Sequence, residues 1–414
     1  MNNADVIVIG AGPAGMMAAG TAAEKYKHVL LVEKNKQPGQ KLLLTGKGRC
    51  NITNDRPISS FFSQIPHNAD FLYSSLYSFD NQQLVMFFNN LGLQTKVERG
   101  GRVFPVSEKS EHVLQALLSY LEDNRVKLVQ GRASKIKIKG NRVQGIILEK
   151  RSSNGSKEFV AAPRVILATG GLSYPDTGST GDGLRMAKGV GHDIIEPRPA
   201  LVPLKTEENW VKEMDYLRLK NIRLSLFQNN ERIFSRTGEM EFADFGVAGS
   251  LVLAASLYIK DPLSENFQLK IDLKPGLGKK KLEQRLIRDF KKYSRKYFVN
   301  SLNDLLPVKI IPVIVELSDI PYDKRVNQIT TEERATLAGL IKNLSLNISG
   351  FLSMERAIIT AGGIKTTEVE SSTMESTLVS GLYFAGEILD TAGETGGYNL
   401  QIAFSTGRKA GRSV

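Results

Sequence analysis

Gly10, Gly12 and Gly15 stand in a G-x-G-x-x-G spacing between an apolar run, "DVIVIG", and the alanine-rich stretch "MMAAGTAAEKY". Eighteen residues past Gly15, Glu33 closes a second apolar run, "HVLLVEK". Gly10 permits a tight turn, Gly12 lets backbone approach a pyrophosphate, and Gly15 lets the helix pack close to the strand. The helix N-terminus offers N–H donors and positive potential to phosphate, and a carboxylate at Glu33 can accept both hydroxyls of an adenosine ribose. The glycine spacing alone is common. Strand, turn, helix and acid together read as a dinucleotide site, because a mere packing turn leaves Glu33 without a role. Lys34, next in sequence, joins the candidate cofactor residues.

A second glycine-rich, cationic segment follows, "KLLLTGKGRCNITN", residues 41 to 54, with the chain's single cysteine at Cys50. A nicotinamide site has no need of it. FAD has a ribityl chain and an isoalloxazine ring to hold beyond the pyrophosphate, and backbone N–H groups around Gly46 and Gly48 suit that task. Arg49 or Lys47 can place positive charge at the pyrimidine edge, where negative charge builds on reduction; the competing reading is that they are ordinary loop cations. Cys50 is a candidate proton donor if Arg49 and loop N–H groups lower its pKa, or a small residue packed under the ring. Tyr174 and Asp244 are weaker candidates for proton handling. Two further strand ends carry glycine loops. "VILATGGLSYPDTGSTGDG" holds Thr169 and Gly170, with Asp182 placed to cap the next helix. "GLYFAGEILDTAGETGGYNL" holds Gly386, Glu387, suited to a ribityl hydroxyl, and a helix start at Tyr398, Asn399 and Leu400 whose N–H groups can face the pyrimidine.

These residues need a scaffold. The opening is a βαβ unit with parallel strands. A helix, "EHVLQALLSYLED", is followed by strands "VKLVQG", "SKIKIKG" and "RVQGIILEK", a polar turn "RSSNGS", and "EFVAAPRVILATGG", an antiparallel excursion before the chain re-enters the parallel sheet. Three prolines in "EPRPALVPL" mark a boundary. Beyond it, "NIRLSLF" and "ERIFS" form a hairpin across Asn229-Asn230 and "FQLKIDL" another strand. Thr330 and Glu333 form a capping box at a helix start. The expected fold is α/β: a Rossmann-like FAD-binding domain in two sequence pieces, 1–195 and 350–414. Between them lie an inserted β-rich, barrel-like domain, 196–278, and a helical subdomain, 279–349.

The 414 residues are 41% hydrophobic and 24% charged, a globular composition long enough for more than one core. One cysteine excludes an internal disulfide, and four scattered histidines show no metal-ligand spacing, so no metal is expected. The longest apolar stretch, Val247 to Ile259, is too short to span a bilayer, and the N-terminus shows no basic n-region or cleavage site, so a soluble cytoplasmic protein without membrane contact is expected. The net charge is +12, and residues 279–296 carry nine Lys or Arg against two acids. Leu282, Leu286, Ile287, Phe290 and Tyr293 recur there at helical spacing, which predicts an apolar face toward the core and a basic outer face. That face is either solvated or a contact for RNA.

"KLLLTGKGRCNITN", "ATGGLSYPDTGSTGDG", "TAGGIKTTEVESSTMES" and "GLYFAGEILDTAGETGGYN" resemble the signature segments of the BaiN/RdsA-type NAD(P)/FAD-dependent oxidoreductases, also called the aminoacetone oxidase family. "ATGG" followed by "TGDG" is also similar to fumarate reductase and ketosteroid dehydrogenase flavoproteins. The resemblance covers nearly the whole chain and implies FAD contacts at Ala14, Gly15, Glu33, Lys41, Gly48, Arg49, Cys50, Asn51, Ala133, Thr169, Gly170, Glu387, Asn399 and Leu400. It implies reduction of an electron-poor C=C bond by hydride from NAD(P)H through flavin N5, on a bile-acid-like enone or a uridine of ribosomal RNA. Oxidation of an aminoacetone-type amine by O2 and an FAD-bound RNA-binding protein without catalysis are the alternatives. With no second G-x-G-x-x-G, NAD(P)H is expected as a transient co-substrate. Many family members carry "THFGLSGP" where this chain has "ADFGVAGS", Ala243 to Ser250, with Asp244 in place of the histidine.

Overall fold

Val6–Ile9 is buried along its whole length, as a strand covered on both faces must be. It lies at the centre of a five-stranded sheet with the order Leu382–Phe384, Val165–Leu167, Val6–Ile9, Val29–Glu33 and Lys127–Gln130. All four pairings are parallel. Lys127–Gln130 is therefore the edge of the main sheet and not part of the antiparallel excursion expected for it. The excursion is a separate three-stranded sheet of Arg132–Lys139, Arg142–Glu149 and Lys157–Ala161. The computed structural model describes residues 3–149 and 156–414; Lys150 and all but the last residue of the polar turn at 151–156 lie outside them.

The helix Pro13–Ala23 starts with proline at its first position, where no intrahelical N–H is lost. The C-terminal helix Tyr398–Ser413 crosses it through small residues: a Cβ at Gly407 would stand 2.3 Å from the Ala14 carbonyl oxygen, and one at Gly411 2.5 Å from that of Ala18. By contacts between residues the chain divides into two units, Met1–Ala200 with Ser353–Val414, and Leu201–Leu352. The proline-rich segment is half inside the first unit. Ile194–Ala200 is a strand paired antiparallel with Ile359–Ile364, and the register slips between Ile195 and Arg198. A two-stranded sheet has only edges, and there prolines are tolerated.

The second unit is a closed six-stranded barrel: Leu204–Thr206, Gly246–Ala248, Glu231–Ala243, Arg218–Gln228, Phe267–Asp272 and Leu344–Phe351. Asn229 and Asn230 both take positive φ, 48° and 69°, as a two-residue hairpin turn requires. One hydrophobic core joins Leu224 and Leu269 of the barrel to Leu286, Ile314 and Leu337 of the helices. The Thr330–Glu333 capping box is formed at the helix Thr331–Lys342. The basic helix runs over Lys279–Lys292 and buries Leu282, Leu286 and Phe290. Ile287 does not join them: it is 48% exposed, and Asp289, bound by Arg285 at 2.8 Å, sits on the buried side instead. Ile287 lies about 100° round the helix from the middle of the stripe made by Leu282, Leu286 and Phe290. Tyr293 ends the helix half-buried, its hydroxyl donating to Asp304.

Candidate functional site

At the first turn, Gly10 has φ 102° and donates its N–H to the Val32 carbonyl at 2.8 Å. A Cβ on Gly15 would stand 1.8 Å from the Gly10 carbonyl oxygen, whereas one on Gly12 would meet no atom within 4 Å. The helix start is thus pressed against the strand while a gap stays open at Gly12. Glu33 accepts from the Ala11 N–H at 2.9 Å on one carboxylate oxygen and from the Asn35 N–H at 2.8 Å on the other. Each oxygen keeps a second acceptor site. Gly131 donates to the Glu33 carbonyl, which brings buried Ala133, two residues on, beside this end of the sheet.

Lys34 reaches Asp182 at 2.9 Å, and Arg132 and Arg185 bind the same carboxylate. The sequence places Asp182 as the helix cap, but it lies inside the helix; Gly181, in the left-handed region, holds the cap position and no side chain caps the start. Partial burial alone would raise its pKa, but hydrogen bonds and charge from Arg132 and Lys34 hold the carboxyl well below the usual carboxylate range.

In the second loop Gly46, Lys47, Gly48 and Cys50 all have positive φ. Side chains held there cost about 1–3 kcal/mol each. The loop is tied down by Thr53, whose hydroxyl donates to the Gln401 side-chain oxygen at 2.6 Å, and by Asn54, which donates to the Gly396 carbonyl at 3.0 Å. A Cβ on Gly397 would stand 2.3 Å from the Thr53 backbone. Segments from opposite ends of the chain are thereby fastened into one frame. No side chain caps the helix that starts at Tyr398, so its first-turn N–H groups have no cap partner.

Two side chains in this loop sit where the alternative reading put them. Cys50 is fully buried, and that burial pushes its thiol up to about 12 against the opposing hydrogen bond with Thr45, so the pKa is raised and not lowered. The Arg49 guanidinium lies 3.0 Å from Glu98, 3.6 Å from Glu108 and 4.1 Å above the Phe104 ring, so its charge is already answered by two carboxylates. Lys47 is exposed.

Lys41 and Glu387 meet at 2.6 Å. Lys41 also donates to the Ser173 hydroxyl, and the second Glu387 oxygen accepts from the Thr360 N–H at 2.8 Å and the Ser173 hydroxyl at 3.2 Å. The Asn399 side chain binds Gly393 through both its atoms and so holds the glycine loop itself. Leu400 packs on the core, and the Tyr398 ring meets Phe61 edge-on at 4.8 Å. A Cβ on Gly386, which has φ 78°, would stand 2.8 Å from the Ala14 side chain, and one on Gly170, φ 72°, 3.4 Å from the Ser179 hydroxyl. Asn51 Oδ1 and Thr169 Oγ1 are among the buried side-chain atoms of this unit that have no hydrogen-bond partner. Tyr174 has φ 55°, with Lys41 Nζ 5.8 Å from its ring centre. Asp244 belongs to the barrel unit, exposed in the turn between Glu231–Ala243 and Gly246–Ala248.

The HI0933-like protein Rossmann domain, as a family model, matches residues 4–413. The chain belongs to the HI0933-like family. The chain is 31% identical over 412 residues to the 3-dehydro-bile acid delta(4,6)-reductase of Clostridium scindens, spanning 98% of both chains. It is 29% identical over 410 residues to the ribosomal RNA dihydrouridine synthase of Escherichia coli, spanning 98% of this chain and 96% of that one. The crystal structure of 3-ketosteroid delta1-dehydrogenase from Sterolibacterium denitrificans has the same fold, with a TM-score of 0.53 at 15% identity over 99% of each chain. The resemblance read from the signature segments thus holds, and the chain is an enzyme of the oxidoreductase class. Sequence reasoning did not single out Thr53, Asn54, Ser173, Thr360 or Gln401. Thr53 and Asn54 lie inside the "GRCNITN" segment already marked; Gln401, 348 residues from Thr53, carries no local signal of its own.

Proposed function

We propose that the protein is an FAD-dependent oxidoreductase that reduces an electron-poor C=C bond at the expense of NAD(P)H. The observation that carries this reading is the frame made by Thr53–Gln401 and Asn54–Gly396, with Asn51 Oδ1 and Thr169 Oγ1 left unpartnered in the same unit. A buried polar atom without a partner costs about 1–3 kcal/mol, and a polar ligand removes that cost. The residues fit FAD: Glu33 has acceptor capacity for the adenosine ribose, the open space at Gly12 suits a pyrophosphate, and the uncapped start of Tyr398–Ser413 suits a carbonyl edge. When bound, FAD supplies a carrier that takes hydride from a nicotinamide and passes it to an electron-poor carbon.

The chain's own groups orient and hold protons. Lys41 fixes Glu387, leaving that carboxylate a hydroxyl-binding edge. Cys50 is packed in the core at 0% exposure, which favours a packing role over proton donation to a substrate. Tyr174 Oη is the candidate donor in this unit, on a backbone held in the left-handed region. The substrate class follows the two full-length relatives by name: a steroid-like enone, or a uridine in RNA. We place the activity in the cytoplasm; among the described residues no helix is long and apolar enough to cross a membrane.

The test is anaerobic stopped-flow on purified protein. Bound flavin should be bleached by NADPH or NADH and recover its colour when an enone is added. Protein that is colourless, and stays so after FAD is offered, refutes the reading. Bleaching by aminoacetone but by neither nicotinamide replaces it with amine oxidation.

A further inference from the structure

On the outer face of the barrel, the strand Arg218–Gln228 points Ile222, Leu224 and Leu226 inward, which leaves Arg223, Ser225 and Phe227 pointing out. In register beside them stand Arg232 across from Phe227, Lys270 across from Ser225, and Asp272 across from Arg223. With Lys279, Lys342 and Asn343 these line a cleft of about 340 Å³, a size in the range of small-ligand sites. Five of the lining side chains are cations and one is an acid. That acid is spent: Asp272 pairs with Lys342 at 2.5 Å, and Lys342 also donates to the Lys274 and Leu277 carbonyls. Arg223, Arg232 and Lys279 make no ion pair among the described residues, and Lys270 lies 4.4 Å above the Phe227 ring.

We infer that this cleft binds single-stranded RNA, with phosphates on Arg223, Arg232 and Lys279 and a base stacked on Phe227 in place of the Lys270 ammonium that now covers the ring. An aromatic face among unpaired cations is the combination that single strands use, since stacking tolerates any base and charge tracks the backbone. A polymer is favoured over a small anion because further exposed cations, Lys280, Lys281, Arg288 and Lys291, stand on the same helix, round its axis from Lys279, where only an extended chain could reach them as well. The Ser225 hydroxyl and the Asn343 amide in the lining can meet a ribose 2′-hydroxyl. The inference extends the proposed function by naming a polymer as the substrate class, and its test is separable from that reading.

Fluorescence anisotropy with a labelled U-rich 15-nucleotide RNA, on full-length FAD-loaded protein, reads the site directly. Arg223→Ala with Arg232→Ala should weaken binding at least tenfold and flatten the slope of log affinity against log salt by about 1.4, near 0.7 for each cation on a single strand. Phe227→Ala should weaken it about fivefold or more at unchanged slope. Arg223→Lys with Arg232→Lys should retain most of the affinity, and Lys137→Ala with Lys139→Ala, in the other unit, should change it less than twofold. Reduction of the flavin by NAD(P)H, followed in the same variants, should match the unaltered protein; if that reduction fails throughout, the redox reading falls while the anisotropy still judges the cleft. The inference is overturned if the unaltered protein does not bind the RNA, or if all cation pairs lose affinity alike. It is equally overturned if UMP competes as well as the oligomer at equal nucleotide concentration, if single-stranded DNA binds as tightly, or if phosphatidylserine vesicles bind and RNA does not.

Discussion

Alanine at Gly12 separates the demands of the fold from those of the ligand. The backbone there has φ −85° and ψ −177°, which alanine adopts without strain, and an added Cβ meets no atom within 4 Å. The same methyl on Gly15 would stand 1.8 Å from a backbone oxygen, so turn and helix would have to part. Apoprotein stability should therefore hold or rise by up to about 1 kcal/mol in Gly12→Ala, because alanine narrows the unfolded ensemble. In Gly15→Ala it should fall by about 3 kcal/mol or more, since neither partner is a flexible side chain. For the ligand, a methyl at Gly12 pushes a pyrophosphate off the helix N–H groups. Losing two hydrogen bonds to charged oxygens, each worth about 1.5 kcal/mol, costs about 3 kcal/mol. That is about a hundredfold in Kd for FAD. Urea unfolding of the apoproteins by circular dichroism gives the first quantity and quenching of flavin fluorescence the second. A Gly12→Ala protein that binds FAD as tightly as the unaltered chain, or unfolds as early as Gly15→Ala, refutes the reasoning.

Three other outcomes can be checked. Native Cys50, its thiol near 12, should react with a disulfide reagent at pH 8 at least about a hundredfold more slowly than a free thiol, and at an ordinary rate after unfolding. Asp182→Asn should destabilise the protein at pH 7 by up to about 1 kcal/mol, by removing the carboxylate that Lys34 and Arg132 share while both cations stay accessible to water. Because the folded-state pKa of Asp182 is depressed, its contribution is present above the unfolded value near 4 and is lost as pH falls toward the folded one; the gap between the two proteins in urea midpoint should narrow below about pH 4. Thr53→Val and Gln401→Leu should each weaken FAD binding and cost about 1–3 kcal/mol, since each strands one buried polar atom, while the double variant should cost less than the sum; strict additivity would show that the pair does not couple the two loops.

What sequence made legible here is local or periodic. The buried parallel strands read as unbroken apolar runs, the hairpin at Asn229-Asn230 as a turn that needs two positive φ values, and the Thr330 capping box as a spacing of three. The errors share a cause. Lys127–Gln130 joined the wrong sheet because a short strand's sequence does not name its partner. Ile287 reads as inward-facing because apolar neighbours flank it in sequence, although its position lies off the buried face. Asp182 looks like a cap beside a helix start, yet Lys34 and Arg132, from strands far away in sequence, claim its carboxylate.

Cys50 and Arg49 show the same limit where it bears on chemistry. A cysteine between an arginine and glycines reads as an activated thiol, since adjacent charge and free N–H groups lower a thiol's pKa. Whether they act depends on where tertiary structure sends each side chain, and here it sends them apart. Arg49 leaves toward Glu98 and Phe104, which neutralise and cover it, while Cys50 goes into the core with Leu42 and Ile52. Cys50 itself has positive φ, in a loop where Gly46, Lys47 and Gly48 do as well. On the proposed reading, what this loop would offer a cofactor is its backbone and Asn51, the residue that follows the turn and keeps a buried oxygen unpartnered. The motif "GRCN" is informative as a path of the main chain, with its arginine and cysteine holding that path in place from opposite sides.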